Sequence, residues 1–368
     1  MRPHIRALSR QYDLTLVANG DASAVAPESL LDEHVSFRSV RIVRQVSIVA
    51  DLVALVALWR MFRSEKAHIV HSISPKAGLL AMTAGLLARV PIRIHWYTGQ
   101  VWATKSGLWR WILKKLDQVL ARCATHLLVD SHSQRTFLLD EKVVRPERVT
   151  VLGNGSVCGV DSIRFKPDAM RRVEIRGRLQ IPDAAVLALY LGRLNRDKGV
   201  LELASAFVLA AQRSADLHLL LVGPDEAGVQ ARIADTCSTV ADRVHFLGYT
   251  ADPEAYMAAA DFFVLPSHRE GFGSSVIEAA ACGIPAIGSR IYGLTDAIVD
   301  EKTGLLVPVG DIGAIANAML RLAMDREYRL VLGKQGLARA REDFGQQALT
   351  NALLAYYAAC VEPRADSR

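Results

Sequence analysis

The 368-residue sequence contains no Asp-x-Asp pair and no His-Glu-x-x-His. A divalent ion held by paired carboxylates is therefore not indicated, nor is a zinc site on a helix. Gly-x-Gly-x-x-Gly and the Walker A loop are missing too, which removes the usual grounds for a dinucleotide or ATP site. Cysteine is sparse. The five residues, Cys123, Cys158, Cys237, Cys282 and Cys360, are odd in number, scattered and never at metal-ligand spacing. Such usage fits a reducing, cytosolic compartment and no bound metal. Long apolar runs are lacking as well. The richest, Val46 to Trp59, is short, carries Asp51 and reads as a helix packed on a sheet, not a bilayer span. No signal peptide is expected at Met1, and no internal repeat or low-complexity tract is visible.

The length exceeds what one core organises and suits two domains. Hydrophobic residues at 51% and charged ones at 22% place the chain among globular proteins. Charge is uneven. Residues 1–150 carry 21 Lys+Arg against 12 Asp+Glu, a net +9, and residues 151–368 carry 23 against 26, a net −3. A basic first half calls for a negatively charged partner. Nucleic acid is not expected, because no helix-turn-helix, zinc finger or aromatic RNA-binding signature accompanies the charge. An anionic membrane surface fits better. The stretch GLWRWILKKLDQVLARC at 107–123 interleaves Trp109, Trp111, Ile112 and Leu116 with Arg110, Lys114, Lys115 and Arg122. A basic, aromatic, amphipathic helix of this kind suits a membrane interface. It equally suits a packing helix with a solvated basic face.

From Asp13 short apolar strands alternate with amphipathic helices. Strands are predicted at 13–18, 35–42, 68–73, 92–97, 126–130 and 149–153, with helices at 47–64, 76–89, 107–123 and 132–141. Ser74-Pro75 marks one helix start, and Ser131-x-x-Gln134 marks another as a capping box. The alternation predicts a doubly wound α/β domain over 1–153. Residues 154–184, opening on NGSVCGVDSIRFKPD, are rich in turn formers and read as an interdomain linker. A second alternating series follows over 185–345, with strands at 185–191, 217–222, 244–247, 262–265, 285–288 and 304–307 and helical pattern over 311–342. An amphipathic helix at about 346–361 and a short tail close the chain.

The chemistry concentrates in Asp261 to Ser289, DFFVLPSHREGFGSSVIEAAACGIPAIGS. It reads as a buried strand (Phe262 to Leu265), a loop (Glu270 to Gly273), a helix (Ser274 to Ala281) and a turn into a second strand. A loop leading from a strand's end into a helix N-terminus offers free backbone N–H groups to an anion such as phosphate. Gly271 and Gly273, on either side of Phe272, let the backbone come close to a ligand. Glu270 and Glu278 beside that cradle do not suit phosphate; they suit hydroxyl groups of a ribose or sugar. Phosphate, ribose and sugar together describe a nucleotide-sugar. Ser275-x-x-Glu278 also fits a capping box, which would explain Glu278 but neither Glu270 nor the glycines.

A second site segment is YLGRLNRDKGV from Tyr190. Gly192 permits a tight turn where a strand ends, and Arg193 and Lys198 emerge at the sheet rim, where open α/β sheets bind ligands. Two cations there would neutralise a diphosphate, or would form a solvated basic loop. His95, in IRIHWYTGQVW, sits at the end of a predicted strand before a polar, Gly-containing turn. A lone histidine near an apolar strand is usually structural. Lys76, after the 68–73 strand, is a further cation.

These motifs are identified as those of a retaining GT-B glycosyltransferase. Glu270 and Glu278 resemble its E-x7-E signature, most like glycosyltransferase family four, and the resemblance runs most strongly from about 150 to 310. The Asn-Gly…Val-Asp…Phe…Pro passage after Asn154 is similar to one often found in that family. The resemblance implies two Rossmann-like domains facing a cleft and a C-terminal helix, 346–368 with its tail, that crosses back onto the first domain. It implies a nucleoside-diphosphate sugar as donor, most plausibly a UDP-sugar, with no cofactor or metal. Glu278 would hold the ribose, and Glu270 the sugar hydroxyls. Arg193, Lys198, Gly192 and the backbone from Gly271 through Ser274 and Ser275 would hold the diphosphate. His95 would face the cleft and contact the donor sugar as a catalytic group. The first domain would take a glycan or lipid-linked sugar acceptor in capsule or lipopolysaccharide assembly, for hexosyl or N-acetylhexosaminyl transfer by a cytoplasmic, peripherally membrane-bound enzyme. Two alternatives share the fold: a nucleotide-sugar epimerase, and a non-catalytic nucleotide-sugar-binding truncation. A GT-B first domain normally opens with a strand and a Gly-containing loop, whereas MRPHIRALSR opens in helical pattern. The first strand is therefore expected to be missing, with the natural protein starting some 15–25 residues upstream, roughly one strand plus one loop.

Overall fold

A computed structural model describes residues 1–20, 35–43 and 47–362; the tail of the final segment, 363–368, lies outside them. The chain divides into two compact units. One comprises residues 1–158 with 346–368, the other residues 159–345.

The first unit holds β1 (Leu14–Ala18), β2 (Val35–Ser39), β3 (Ile69–Ser72), β4 (Ile92–Tyr97), β5 (His126–Val129) and β6 (Val149–Val151). All pairings are parallel. β1 pairs only with β2, and β3-β4-β5-β6 form a separate sheet. No ladder joins β1 to β3 among the described residues. Helices at Ile48–Ser64, Pro75–Leu87 and Gly107–Cys123 connect the strands, and the first packs on the second and the second on the third. The helix starts differ in chemistry. Ser131 Oγ accepts from Gln134 N, and Gln134 Oε1 accepts from Asp130 N, one residue outside a strict capping box. Ser74 occupies an N-cap with Pro75 at the first position, but its side chain makes no cap bond. The terminal helix Gln346–Val361 buries Leu349, Leu353 and Tyr357 with Leu8, Ile94, Trp96 and Leu128. Its Tyr357 hydroxyl lies 2.7 Å from His71 Nδ1.

One expectation changes here. Helix Ile48–Ser64 buries Ala54, Leu58 and Phe62, with Leu55, Trp59 and Met61 partly buried beside them, while much of its remaining apolar surface is exposed.

The second unit holds β7 (Val186–Leu191), β8 (Leu217–Val222), β9 (Val244–Leu247), β10 (Phe262–Leu265), β11 (Ala286–Ser289) and β12 (Gly304–Val307). The parallel order is β12-β11-β10-β7-β8-β9. Strands such as β8, LHLLLV, read as continuous apolar runs because helices cover both faces. Strand order reverses between β7 and β10, the point where the loops of neighbouring strands part and leave a crevice.

The passage read as a linker, 154–184, holds the boundary between the two units at Cys158 and Gly159, but most of it is part of the second unit. Residues from Gly159 onward belong to the second unit, and they include the helix Ala169–Arg178. Asp168 caps that helix by accepting from Arg171 N. Arg172 and Arg176 on it both reach Asp261 at the head of β10, at 2.9 and 3.3 Å. Turn formers dominate the start of the passage and hide these charge contacts, which are long-range in sequence.

Candidate active site

The loop after β7 and the loop after β10 are clasped together. His268 N donates to Asp197 O at 2.9 Å. Gly199 has φ +67, and a Cβ on it would lie 2.0 Å from Pro266 O, so only glycine permits this approach. Lys198 is thereby carried onto the β10 loop. Its Nζ lies 2.5 Å from Glu270 Oε1, and Ser267 Oγ donates to the same oxygen at 2.8 Å. Both charged side chains are mostly buried, so this is a charge-assisted contact little weakened by solvent. It sits at the reversal of strand order.

Arg193 is placed differently. Gly192 N continues the β8 ladder by donating to Val222 O, and the buried Tyr190 hydroxyl donates to Arg193 O at 2.8 Å. The Arg193 guanidinium pairs at 3.0 Å with Glu226 on the loop after β8. Both partners are well exposed, which makes the pair weak and easily exchanged for another anion. The structure thus joins Lys198 to Glu270 directly and sets Arg193 one strand over.

Helix Ser274–Ala281 begins at Gly273, φ +85, where a Cβ would lie 2.5 Å from Leu294 Cδ2. No side chain caps the helix, and the first N–H groups of a helix have no partner within it. Ser275 is the second helical residue, not the N-cap, so the Ser275-Glu278 capping box does not form. Ser274 is exposed and Ser275 partly so, beside buried Gly271. The Phe272 ring points inward, 2% exposed and edge-on to Phe344 at 5.2 Å, and therefore cannot itself meet a ligand; only its backbone faces the loop.

Glu278 sits one turn into the helix. Burial pushes its carboxyl up to about 7; Arg164 opposes the rise and Glu254 adds to it. Arg164 is itself tied to Glu254 at 2.8 Å and to Ala251 O at 2.7 Å. The raised value has a definite sign. The folded protein holds this proton more tightly than the unfolded chain, so ligand-free stability should fall as pH rises from 4.5 toward 7 and level off above. Glu278→Gln should flatten this profile; thermal midpoints measured across about pH 5–8 check it. An unchanged profile in the variant would show that another group carries the dependence.

His95 does not meet the expectation placed on it. It lies inside β4, 0% exposed, with Nδ1 2.8 Å from Ser72 Oγ and its ring edge-on to Tyr97. A Cβ on Gly78 would touch the ring at 2.4 Å. Burial lowers its pKa to about 3, so it is a neutral core histidine. Its Nε2 makes no hydrogen bond among the described residues. Lys76 is engaged by Asp51 at 2.7 Å and Val43 O at 2.6 Å. Ser267, Glu226 and Arg164 were not anticipated: Glu226 and Arg164 each pair with a residue that only the fold brings near, whereas Ser267 bonds Glu270 within its own loop.

Comparison with known proteins agrees with this geometry. The profile described as glycosyl transferases group 1 matches residues 171–339, and that of a glycosyl transferase 4-like domain matches residues 2–155. The capsular polysaccharide biosynthesis glycosyltransferase CapM of Staphylococcus aureus is 31% identical over 298 residues, 81% of this chain and 78% of that protein. The UDP-Gal:alpha-D-GlcNAc-diphosphoundecaprenol alpha-1,3-galactosyltransferase of Escherichia coli is 28% identical over 328 residues, 88% and 83% of the two chains. Among solved structures, Anabaena HepE in complex with UDP and glucose shares the fold, with a TM-score of 0.80 at 18% identity over 97% of this chain and 95% of that one. Sucrose-phosphate synthase from Thermosynechococcus elongatus gives 0.80 at 25% identity, covering 97% and 92%. Two Rossmann-like units of parallel sheet define the class as a GT-B glycosyltransferase. Within that class, the chain belongs to glycosyltransferase family four.

Proposed function

We propose that the chain is a retaining glycosyltransferase that moves a sugar from a UDP-sugar to a hydroxyl of a lipid-linked or capsular glycan. The observation that carries this reading is the Lys198–Glu270–Ser267 cluster at the reversal of strand order, beside an uncapped helix start. Lys198, Arg193 and the N–H groups from Gly273 to Ser275 stabilise charge on the departing diphosphate, the main electrostatic demand of the reaction. Glu270 holds sugar hydroxyls, and Lys198 already orients its carboxylate. Glu278 accepts from the ribose. The acceptor oxygen attacks from the face that the diphosphate leaves, so the anomeric configuration is kept.

The relatives support donor and acceptor alike. The Escherichia coli protein is named for UDP-Gal and a diphosphoundecaprenol-linked sugar, and CapM for capsular polysaccharide biosynthesis. HepE has been solved in complex with UDP. No helix among the described residues is long and apolar enough to cross a membrane. On this reading a lipid-linked acceptor would be met peripherally at the cytoplasmic face of the cell membrane, with the basic helix Gly107–Cys123 toward anionic lipid.

Mass spectrometry of glycolipids formed with a panel of nucleotide-sugars tests the reading directly; the absence of any product across the panel would remove it. Because Lys198 and Arg193 supply the positive charge, turnover should survive EDTA. Full loss on chelation, restored by manganese or magnesium, would contradict metal independence.

A further inference from the structure

Helix Ile48–Ser64 is amphipathic the wrong way round for a surface helix. Its buried side holds Ala54, Leu58 and Phe62, with Asp51 beside them in an ion pair to Lys76. Its outward stripe is apolar: Ile48 is 76% exposed, Val49 75%, Leu52 56%, Val53 66% and Val56 42%. The spacing is that of one continuous helical face. The stripe carries no charge until Arg60 and Arg63, both exposed, at its C-terminal end. An unbroken aliphatic ridge of this size in water marks an interaction surface.

Chemistry selects the partner. Helix Gly107–Cys123, which like Ile48–Ser64 packs on Pro75–Leu87, exposes Leu108, Trp109 (68%) and Trp111 (58%) near its start, interleaved with the exposed Lys115 and with Arg110 and Lys114, which pair with Glu141. Both apolar groups lie in the N-terminal halves of their helices. Each helix delivers the chain to the start of a strand, β3 or β5, and so begins at the opposite end, beyond the strands' carboxyl ends. Aliphatic side chains, interfacial tryptophans and a net +9 over residues 1–150 gather on this unit. That combination fits an anionic bilayer, into which aliphatic groups insert while Lys and Arg meet headgroups.

We propose that the Ile48–Val56 ridge is a membrane-inserting element, and that its partner is the acyl–headgroup boundary of an anionic bilayer. The proposal rests on the proposed lipid-linked acceptor for its purpose. Insertion at this end brings the rim of the acceptor-binding unit to the plane where a lipid-linked sugar leaves the membrane.

The test is flotation of the full chain with vesicles of phosphatidylcholine alone or with added phosphatidylglycerol. The parent should float with the anionic vesicles, and high salt should weaken without abolishing this, since the aliphatic contribution is not screened. Val49→Asp/Val53→Asp should weaken vesicle binding by roughly tenfold to a hundredfold, from the lost aliphatic insertion and added negative charge. The isosteric Val49→Thr/Val53→Thr should act in the same direction and keeps the test sound should the acidic pair fail to fold. Sugar transfer to a water-soluble acceptor should be unchanged in both. Parent-level flotation of the folded variants would overturn the proposal. So would a parent that stays off the vesicles and instead forms dimers that the same substitutions dissolve. Vesicle binding without turnover on any nucleotide-sugar would instead fault the proposed function and leave the ridge standing.

Discussion

Lys198→Ala is expected to lower both kcat and kcat/KM by about 100- to 1,000-fold, the cost of losing one preorganised group that meets developing negative charge. The size follows from placement. The Lys198 side chain is mostly buried, with Nζ against the Glu270 oxygen that Ser267 also meets, so its field reaches a ligand through little water. Arg193, 45% exposed and paired with Glu226 at 35%, should matter less when replaced by Ala, because screening already weakens it. Lys198→Ala removes the partner that orients the Glu270 carboxylate as well, so sugar and diphosphate lose their positioning together. Single-turnover rates with saturating donor, beside a circular dichroism spectrum to establish folding, measure the effect. A folded Lys198→Ala protein within tenfold of the parent would show that the charge on the leaving diphosphate is handled elsewhere.

The same cluster shows what was legible in the sequence. Strand and helix periodicity reports burial, and burial in these parallel sheets is nearly continuous, so β7 to β12 stood out with bounds close to those found. The strand, loop and helix from Phe262 to Ala281 were legible because Gly273 and the switch from a continuous apolar run to SSVIEAAA mark the transition locally. The Lys198–Glu270 contact was not, since nothing in either segment reports the clasp between Gly199 and Pro266 that brings them together. The alternative reading of Ser275-x-x-Glu278 as a capping box falls because the box needs the serine at the N-cap, and backbone geometry gave that place to Gly273. His95 misled because the polar turn after β4 drew attention to a residue that points into the core two positions earlier. In helix Ile48–Ser64 composition was clear, but which side faced the sheet depended on Asp51 finding Lys76.

Asp261→Ala should cost about 3–5 kcal/mol of unfolding free energy, the usual consequence of leaving a buried charge without its partner. Asp261 looks unremarkable in sequence, one carboxylate before a strand. In the fold it accepts from Leu187 N at 2.8 Å, which ties the start of β7 to the start of β10. Its two oxygens also receive Arg172 and Arg176, and the Arg176 side chain is only 3% exposed. Without the carboxylate, Arg176 keeps the carbonyls of Ala185, Pro182 and Ala259 but only the exposed Asp183 as counter-charge. Asp261→Asn keeps an oxygen for Leu187 N and should cost less, which separates the charge from the hydrogen bond. Against a typical total of ~5–15 kcal/mol, the alanine variant should unfold at markedly lower denaturant than the parent. β7 and β10 lead at their other ends into the loops that carry Lys198 and Glu270, so loosening their shared base should cost donor turnover before the whole unit melts. Guanidinium titrations read by circular dichroism, run beside initial rates, test both parts. A loss under about 1 kcal/mol would mean that the carbonyls alone satisfy Arg176.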